Sequence, residues 1–383
     1  MAKRRRKKQT IKLSKPLAVF LAIVLIIAIV CGYFLWKNGY LDAYLGEHEH
    51  GNNGNVEDII TTDLSIHFPM LGNANTGDCT LIKVGNTEVL IDAGSKRGSA
   101  TAVVSYVSQY CTDGVLDYVI ATHAHEDHIA AFVGSATDKT DGVLEAFECK
   151  TIIDFARTNA TSKIYQDYVD LRTAEVEGGA VHYTALECWK EENGAKKSYT
   201  LGENITLNIL YQEFYEKKTS DENDYSVCVL LSQGNNHYLF TGDLEAEGEA
   251  SLVEYNTLPK CKLFKAGHHG SPTSSSDDLL KVIQPEIVCV CCCCGNNKTE
   301  YTNTAPENVF PSQAFTDRVS KYTEKIYVTS LYSETAEKNF VPMNGNIVLT
   351  SNGAEVTVNC SNNNTIFKDT DWFKENRTWT GGE

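Results

Sequence analysis

Residues 1 to 36 contain no acidic side chain, and the last twenty of them, 17 to 36, carry no charge of either sign. The cationic cluster Lys3-Arg4-Arg5-Arg6-Lys7-Lys8 stands ahead of that apolar run. A core helix has no reason to begin behind such a cluster, so the run does not read as part of a globular interior. As a helix it spans roughly 30 Å, about one hydrocarbon core, and Tyr33 and Trp36 near its end suit the membrane interface. A small-x-small cleavage site is also missing after the run, which argues against a removed signal peptide. Cys31 follows Ile29-Val30 and the apolar run continues past it, unlike a lipidated cysteine. The expectation is a single-pass anchor in the cell membrane at 17–36. A basic tail at 1–16 is then cytoplasmic, and everything beyond about residue 37 is extracytoplasmic.

Basic residues are scarce beyond the anchor. The first 36 residues hold eight Lys or Arg, which leaves 34 − 8 = 26 basic against 50 acidic side chains, a formal −24. Such a surface repels nucleic acid and anionic lipid at long range, so a polyanionic substrate needs a local patch or metal charge to draw it in. Short-period repeats are absent, and no second Cys-x-x-Cys accompanies Cys291 and Cys294 at zinc-finger spacing. The thirteen cysteines do not form a small disulfide scaffold, because the domain is large enough to bury its own core. Cys79, Cys228 and Cys289 sit in apolar strands, where a thiol packs as a small hydrophobe, and a reducing setting would reconcile this with export. In Cys291-Cys-Cys-Cys294, alternate side chains of a strand face opposite ways, so the four thiols cannot share one metal.

A polar linker at 37–63, with Gly/Asn-rich sequence around His48 and His50, leads into one α/β domain at 64–360 and a tail at 361–383 carrying Trp372, Phe373 and Trp379. The two linker histidines read as solvated. Apolar alternation predicts strands over 65–68, 80–84, 88–92, 116–122, 151–155, 205–211, 226–233, 237–241, 262–266 and 286–293. Helices are expected over 99–110, 129–134, 245–255 and 279–283.

Within this pattern stands His123-Ala-His125-Glu-Asp127-His128, three histidines and an aspartate in six positions at the end of an apolar strand. Imidazole and carboxylate are ligands of zinc and related metals. Three further segments share the design of a strand end followed at once by a polar side chain. They are Val89-Leu-Ile-Asp92-Ala-Gly94, Leu239-Phe-Thr-Gly-Asp243-Leu-Glu245 and Phe264-Lys-Ala-Gly-His268-His269-Gly-Ser271. An aspartate after a strand is by itself often a turn former; four such segments in order carry more weight.

The set resembles the metallo-β-lactamase fold, and its wording is similar to the ComEC-type branch, the hydrolase domain attached to competence membrane channels. The segment 70–78 ending in Gly77-Asp78 resembles that branch's Gly-Gln-Gly-Asp, and Asn223-Asp-Tyr-Ser226-Val also has a counterpart there. The channel-forming helices are replaced by the single anchor. The resemblance implies a four-layer αββα sandwich with two divalent metal ions at one edge, zinc first and manganese as the alternative. It also implies hydrolysis by metal-bound hydroxide. By position, His123 and His125 would hold the first metal. Asp127, His128 and His268 or His269 would hold the second, with Asp243 bridging. Of the double histidine, His268 is assigned to the metal, and His269 joins Asp127 and Asp243 as a catalytic group. Asp92 and Asp78 would brace the ligands from behind, Ser271 and Asn223 would contact substrate, and Glu126 would point away.

Two departures from the branch stand out. The usual third histidine of the first metal is missing: between 128 and 243 only His182 and His237 occur, and Tyr211 stands at the expected strand end. Later, Asn308-Val-Phe310-Pro311 carries Phe310 where a histidine is expected. The leading reading is a membrane-anchored, extracytoplasmic phosphodiesterase or nuclease. The alternatives are a hydrolase of a small envelope or nucleotide ester, and a binding module that has lost turnover. The membrane is the expected partner, together with a nucleic-acid or other phosphodiester substrate; no obligate protein partner is evident.

Overall fold

A computed structural model describes residues 62–137, 139–291, 293, 309–333 and 335–382. The expected cytoplasmic tail, anchor and nearly all of the linker lie outside these residues, as do Cys292, Cys294 and Asn308. Among the described residues no helix is long and apolar enough to cross a membrane.

Two sheets form the frame. The first has eight strands in the order Val356–Cys360, Ile347–Ser351, Leu64–Phe68, Cys79–Val84, Thr87–Ala93, Val115–Ile120, Glu148–Asp154 and Val181–Thr184. Its last four strands run parallel. The second has seven, ordered Ile326–Val328, Ile287–Val290, Leu263–Lys265, Asn236–Phe240, Cys228–Gln233, Ile205–Leu210 and Ser198–Gly202, and its first four run parallel.

Side-chain alternation explains how the sheets stack. In the second sheet Val229, Leu231, Tyr238, Phe240 and Cys289 join the core shared with the first sheet. Their neighbours Cys228, Leu230, Leu239, Val288 and Val290 face a second core instead. That second core is covered by the helices Ala246–Tyr255, Asp277–Ile283 and Gln313–Val319 through Leu252, Leu279, Leu280, Ile283, Phe315 and Val319. The helices Ala100–Val107, Glu126–Val133, Val143–Ala146 and Lys163–Gly178 pack together on the first sheet. The result is a mixed α/β layering of the kind the resemblance implies, helices covering the outer faces of two stacked sheets.

The tail is part of this packing. Phe367 and Phe373 are buried in the second core, with Trp372 and Trp379 against it. Arg377 is buried and donates to the carbonyls of Val309 (2.6 Å) and Pro311 (2.9 Å). The boundary expected at residue 360 therefore does not mark the end of the packed unit. The ten described cysteines are all free, and all but Cys360 are buried.

Candidate metal centre

Four strand ends converge. Asp92 lies near the end of Thr87–Ala93, and the histidine loop follows Val115–Ile120. Asp243 follows Asn236–Phe240, and the double histidine follows Leu263–Lys265. Two pairs come from the C-terminal ends of strands in different sheets, so the site lies where the sheets meet. Two glycines allow the approach. A Cβ on Gly94 would fall 1.4 Å from the Asp127 carbonyl oxygen. Gly242, at φ +56°, would place one 2.8 Å from Thr122 Cβ and 2.9 Å from Ser226 Oγ.

The histidine loop is tied down from behind. Asp92 accepts from the Thr122 backbone N–H (2.8 Å) and hydroxyl (2.7 Å), and from His128 Nδ1 (2.7 Å). Because the Thr122 hydroxyl is donated to Asp92, its lone pair faces His123 Nδ1 at 3.2 Å. His269 Nδ1 donates to the Cys291 carbonyl (2.9 Å) and has Asp78 Oδ1 beside it at 3.1 Å. In each ring the outer nitrogen has an acceptor to hold its hydrogen, so Nε2 is the nitrogen turned inward, the one that can give up its proton to a cation.

Those inward nitrogens meet carboxylates. His128 Nε2 is 3.0 Å from Asp243 Oδ2; His269 Nε2 is 3.2 Å from the same oxygen and 3.5 Å from Asp127 Oδ2. His128 Nε2, His269 Nε2 and Asp243 Oδ1 are all buried. Two imidazoles crowded on one buried carboxylate oxygen, with Oδ1 left over, form a group of atoms that a shared cation would satisfy. Ligand atoms of His123, His128 and Asp243 lie within 4.8 Å of one another, as do those of Asp127, His128 and His269. This donor set of imidazole and carboxylate suits divalent metal ions.

The electrostatics agree. Burial opposes charge on His128, but Asp243 and Asp92 outweigh it and hold its pKa well above the usual histidine value. At His269 burial is likewise overcome by Asp243 and Asp78. Burial, with His128 and His125 nearby, pushes His123 well below the usual value, so it is a neutral imidazole. The carboxylates thus demand positive charge in the middle of the cluster.

The remaining expected residues fall around this centre. His125 Nδ1 is 3.0 Å from His123 Nε2, so it meets the cluster through that ring. The two adjacent histidines exchange the places expected of them. Both lie in left-handed backbone (φ 45° and 54°), a tight reversal that sends the rings apart. His269 turns in to Asp127, His128 and Asp243. His268 turns out, with Nδ1 3.3 Å from Glu245 Oε1, Nε2 3.8 Å from Asp243 and its ring edge against Phe310. Asn223 is buried, donates to Glu245 (3.3 Å) and leaves its own oxygen without a partner. The Ser271 hydroxyl is buried against Thr273 at 3.0 Å. Glu126 faces solvent and pairs with Lys96 at 2.6 Å.

Neither candidate for the missing histidine joins the group. His182 Nε2 is 2.8 Å from Asp154, on the edge strand Val181–Thr184. Tyr211 bonds Glu216 and packs against Trp189 and Tyr255. His237 bonds Ser232 at 2.9 Å. Ser226 and Lys265 escaped the sequence reading. The Ser226 hydroxyl accepts from the Asp243 backbone N–H (3.1 Å) and lies 3.4 Å from His123 Nδ1. Lys265 is buried and paired with Asp78. The signal for Lys265 was a lone cation inside the apolar run Leu263-Phe264-Lys265-Ala266.

Sequence comparison agrees with this geometry. The profile of the Metallo-beta-lactamase superfamily matches residues 72–136, which hold Asp92 and the histidine loop. The chain is 28% identical over 214 residues to Recombination protein 2 of Haemophilus influenzae, covering 55% of this chain and 22% of that protein. It is 24% identical over 262 residues to Competence protein ComA of Neisseria gonorrhoeae, covering 68% and 30%. ComE operon protein 3 of Bacillus subtilis matches at 24% over 176 residues, covering 45% and 19%. The chain thus spans less than a third of the length of each of these relatives. Among solved structures, the metallo-beta-lactamase fold protein YhfI of Bacillus subtilis aligns with a TM-score of 0.39 at 11% identity, over 70% of this chain and 97% of that one. Over residues 72–136 the chain is thus similar to the metallo-β-lactamase superfamily, whose members are generally hydrolytic and metal-dependent. With these relatives it is a ComEC-like protein of metallo-β-lactamase fold.

Proposed function

We propose that the chain is a metal-dependent hydrolase of phosphodiesters, anchored in the cell membrane by residues 17 to 36 with its catalytic domain outside. One observation carries the reading of the site: two buried histidines, His128 and His269, direct Nε2 at the same Asp243 oxygen, at 3.0 and 3.2 Å. Divalent cations among these atoms would take the place of the protons that the histidines carry there. Asp127, His128, His269 and Asp243 would hold one, and His123 with Asp243, and His125 beside His123, are the groups at hand for a second, since the one inward Nε2 of His128 cannot serve both. Zinc is the first choice and manganese the alternative. Bound there, such ions polarise a phosphoryl oxygen and lower the pKa of water towards neutrality. The chain's own residues do the rest. Asp92 and Thr122 hold the histidine loop rigid, Ser226 fixes the Asp243 backbone, and Asn223 and His268 stand beside the cluster, where they can orient an ester. The names of the relatives, which speak of competence and recombination, support a nucleic-acid substrate.

A second reading has its own support. The formal −24 beyond the anchor opposes loose binding of a long polyanion, and Glu245 adds a carboxylate beside His268. A small envelope or nucleotide diester meets less of that repulsion. The experiment is elemental analysis of the purified full chain in detergent, with hydrolysis of bis(p-nitrophenyl) phosphate measured alongside. Bound metal with turnover supports a phosphodiesterase, and DNA is then compared with short diesters. A chain that takes up no divalent metal overturns the proposal and leaves a binding module.

A further inference from the structure

A buried lysine stands directly behind the centre. Lys265 ends the strand Leu263–Lys265, in the interior of the second sheet between Asn236–Phe240 and Ile287–Val290, and its side chain is 3% exposed. Its ammonium donates to the Ala266 carbonyl (2.8 Å) and pairs with Asp78 Oδ2. Asp78 comes from the other sheet, where it precedes Cys79–Val84, and is itself almost fully buried. Its backbone is fixed on both sides: its N–H donates to the Asp127 carbonyl (3.1 Å), and its carbonyl accepts from Gly94 (2.8 Å). The other oxygen, Oδ1, stands 3.1 Å from His269 Nδ1. A chain of charge therefore runs from Lys265 through Asp78 to His269, and it crosses between the sheets.

This chain decides between two fates for Asp78. Ligand atoms of Asp78, Asp243 and His269 lie within 4.8 Å of one another, so Asp78 is close enough to compete for a cation. An unpaired buried carboxylate would be drawn to that charge and pull His269 out of line. The ammonium on Oδ2 holds the carboxylate back, so that Oδ1 faces the outer nitrogen of the ring. With the Cys291 carbonyl as second acceptor at that nitrogen, the hydrogen stays on Nδ1, and Nε2, beside Asp127 and Asp243, is the nitrogen left to meet a cation. Burial works against charge on Lys265, but Asp78 and Asp243 hold it firmly protonated.

We propose that Lys265 is a positioning residue of the metal centre: by holding Asp78 behind His269 it fixes the ring's tautomer and aim, and keeps Asp78 from becoming a ligand. The inference rests on the metal-site reading above. Carboxylates and other partners behind metal-bound histidines typically change metal affinity by about 10–100-fold when removed.

The test compares the full-length wild type with Lys265→Met and with the double variant Asp78→Asn/Lys265→Met, all in detergent. Zinc affinity is measured by competition with a chromophoric chelator, and the melting temperature of each metal-free protein is recorded. Lys265→Met is expected to weaken zinc by about 10–100-fold and to lower the metal-free melting temperature, because it leaves Asp78 buried and unpaired. The double variant removes both charges, so it should recover much of the melting temperature while zinc stays weak. That split separates positioning from mere folding. Wild-type affinity in either variant overturns the role of Lys265. A wild type that binds no zinc or manganese overturns the metal site itself, and the lysine's role with it. If Lys265→Met does not fold, the double variant decides alone.

Discussion

His269 Nε2 stands 3.2 Å from Asp243 Oδ2. His128 Nε2 approaches the same oxygen to 3.0 Å. A single carboxylate oxygen with two imidazoles aimed at it is the focus of the site, and most of what can be tested turns on it.

Asp243→Ala and Asp127→Ala should each lose tightly held metal and lower phosphodiester turnover by more than about 100-fold, beyond the range typical of a partner behind a ligand. Metal per chain and the steady-state rate check this. Unchanged hydrolysis in Asp127→Ala would sink the site assignment.

The histidines give a pH signature of opposite sign in the two forms. In the metal-free protein the folded-state pKa values of His128 and His269 are raised, after burial is overcome by Asp243 with Asp92 or Asp78. That contribution to stability is fully present below the unfolded value of 6.5 and is lost as pH rises through the folded values above it. Metal must displace those protons, so its apparent affinity strengthens as pH rises over the same range. Calorimetry in buffers of different ionisation enthalpy should read proton release on binding. Metal at about 100 times its Kd should add about 2.7 kcal/mol of stability.

His67 gives the reverse trend. It is buried in the strand Leu64–Phe68 beside Tyr106, and burial, with a smaller effect of Lys83, pushes its pKa down to about 4. The folded state therefore resists protonation, and stability falls as pH drops from 6.5 through about 4. His67→Gln should flatten that slope by on the order of 2 kcal/mol, measured by urea unfolding at pH 4.5 and pH 7.

The tail behaves as core. Phe373 is 3% exposed, and Phe373→Ala should cost about 3–5 kcal/mol in chemical denaturation. Deleting residues 361 to 383 should prevent stable folding, because it also removes the Arg377 bonds to Val309 and Pro311.

The strands carrying the site were legible because each is short, apolar and closed by a turn. The expected 80–84 and 88–92 differ from Cys79–Val84 and Thr87–Ala93 only at their ends. The helix Lys163–Gly178 was not legible, since only Ile164 and Tyr168 of its sixteen residues are buried and its apolar stripe is too thin to show a period. The strands after residue 320 were missed for another reason: Ile326–Val328 is only three residues long, and Val356–Cys360 is an edge strand with no fully buried residue. At the site, residue type and order identified the cluster. They could not choose between His268 and His269, because the choice depends on two consecutive left-handed residues that no pattern announces. The same limit hid Lys265, whose partner lies 187 positions earlier in the chain.

The centre draws its groups from both sheets, and this governs when it can come into being. A nascent chain that has reached only Val181–Thr184 of the first sheet already owns His123, His125, Asp127 and His128, yet lacks Asp243 and His269, and lacks too the strands Ile347–Ser351 and Val356–Cys360 that complete that sheet. The full set closes only where the two sheets meet, so a chain cut anywhere between residues 128 and 243 divides it between two fragments, neither of which owns all the donors.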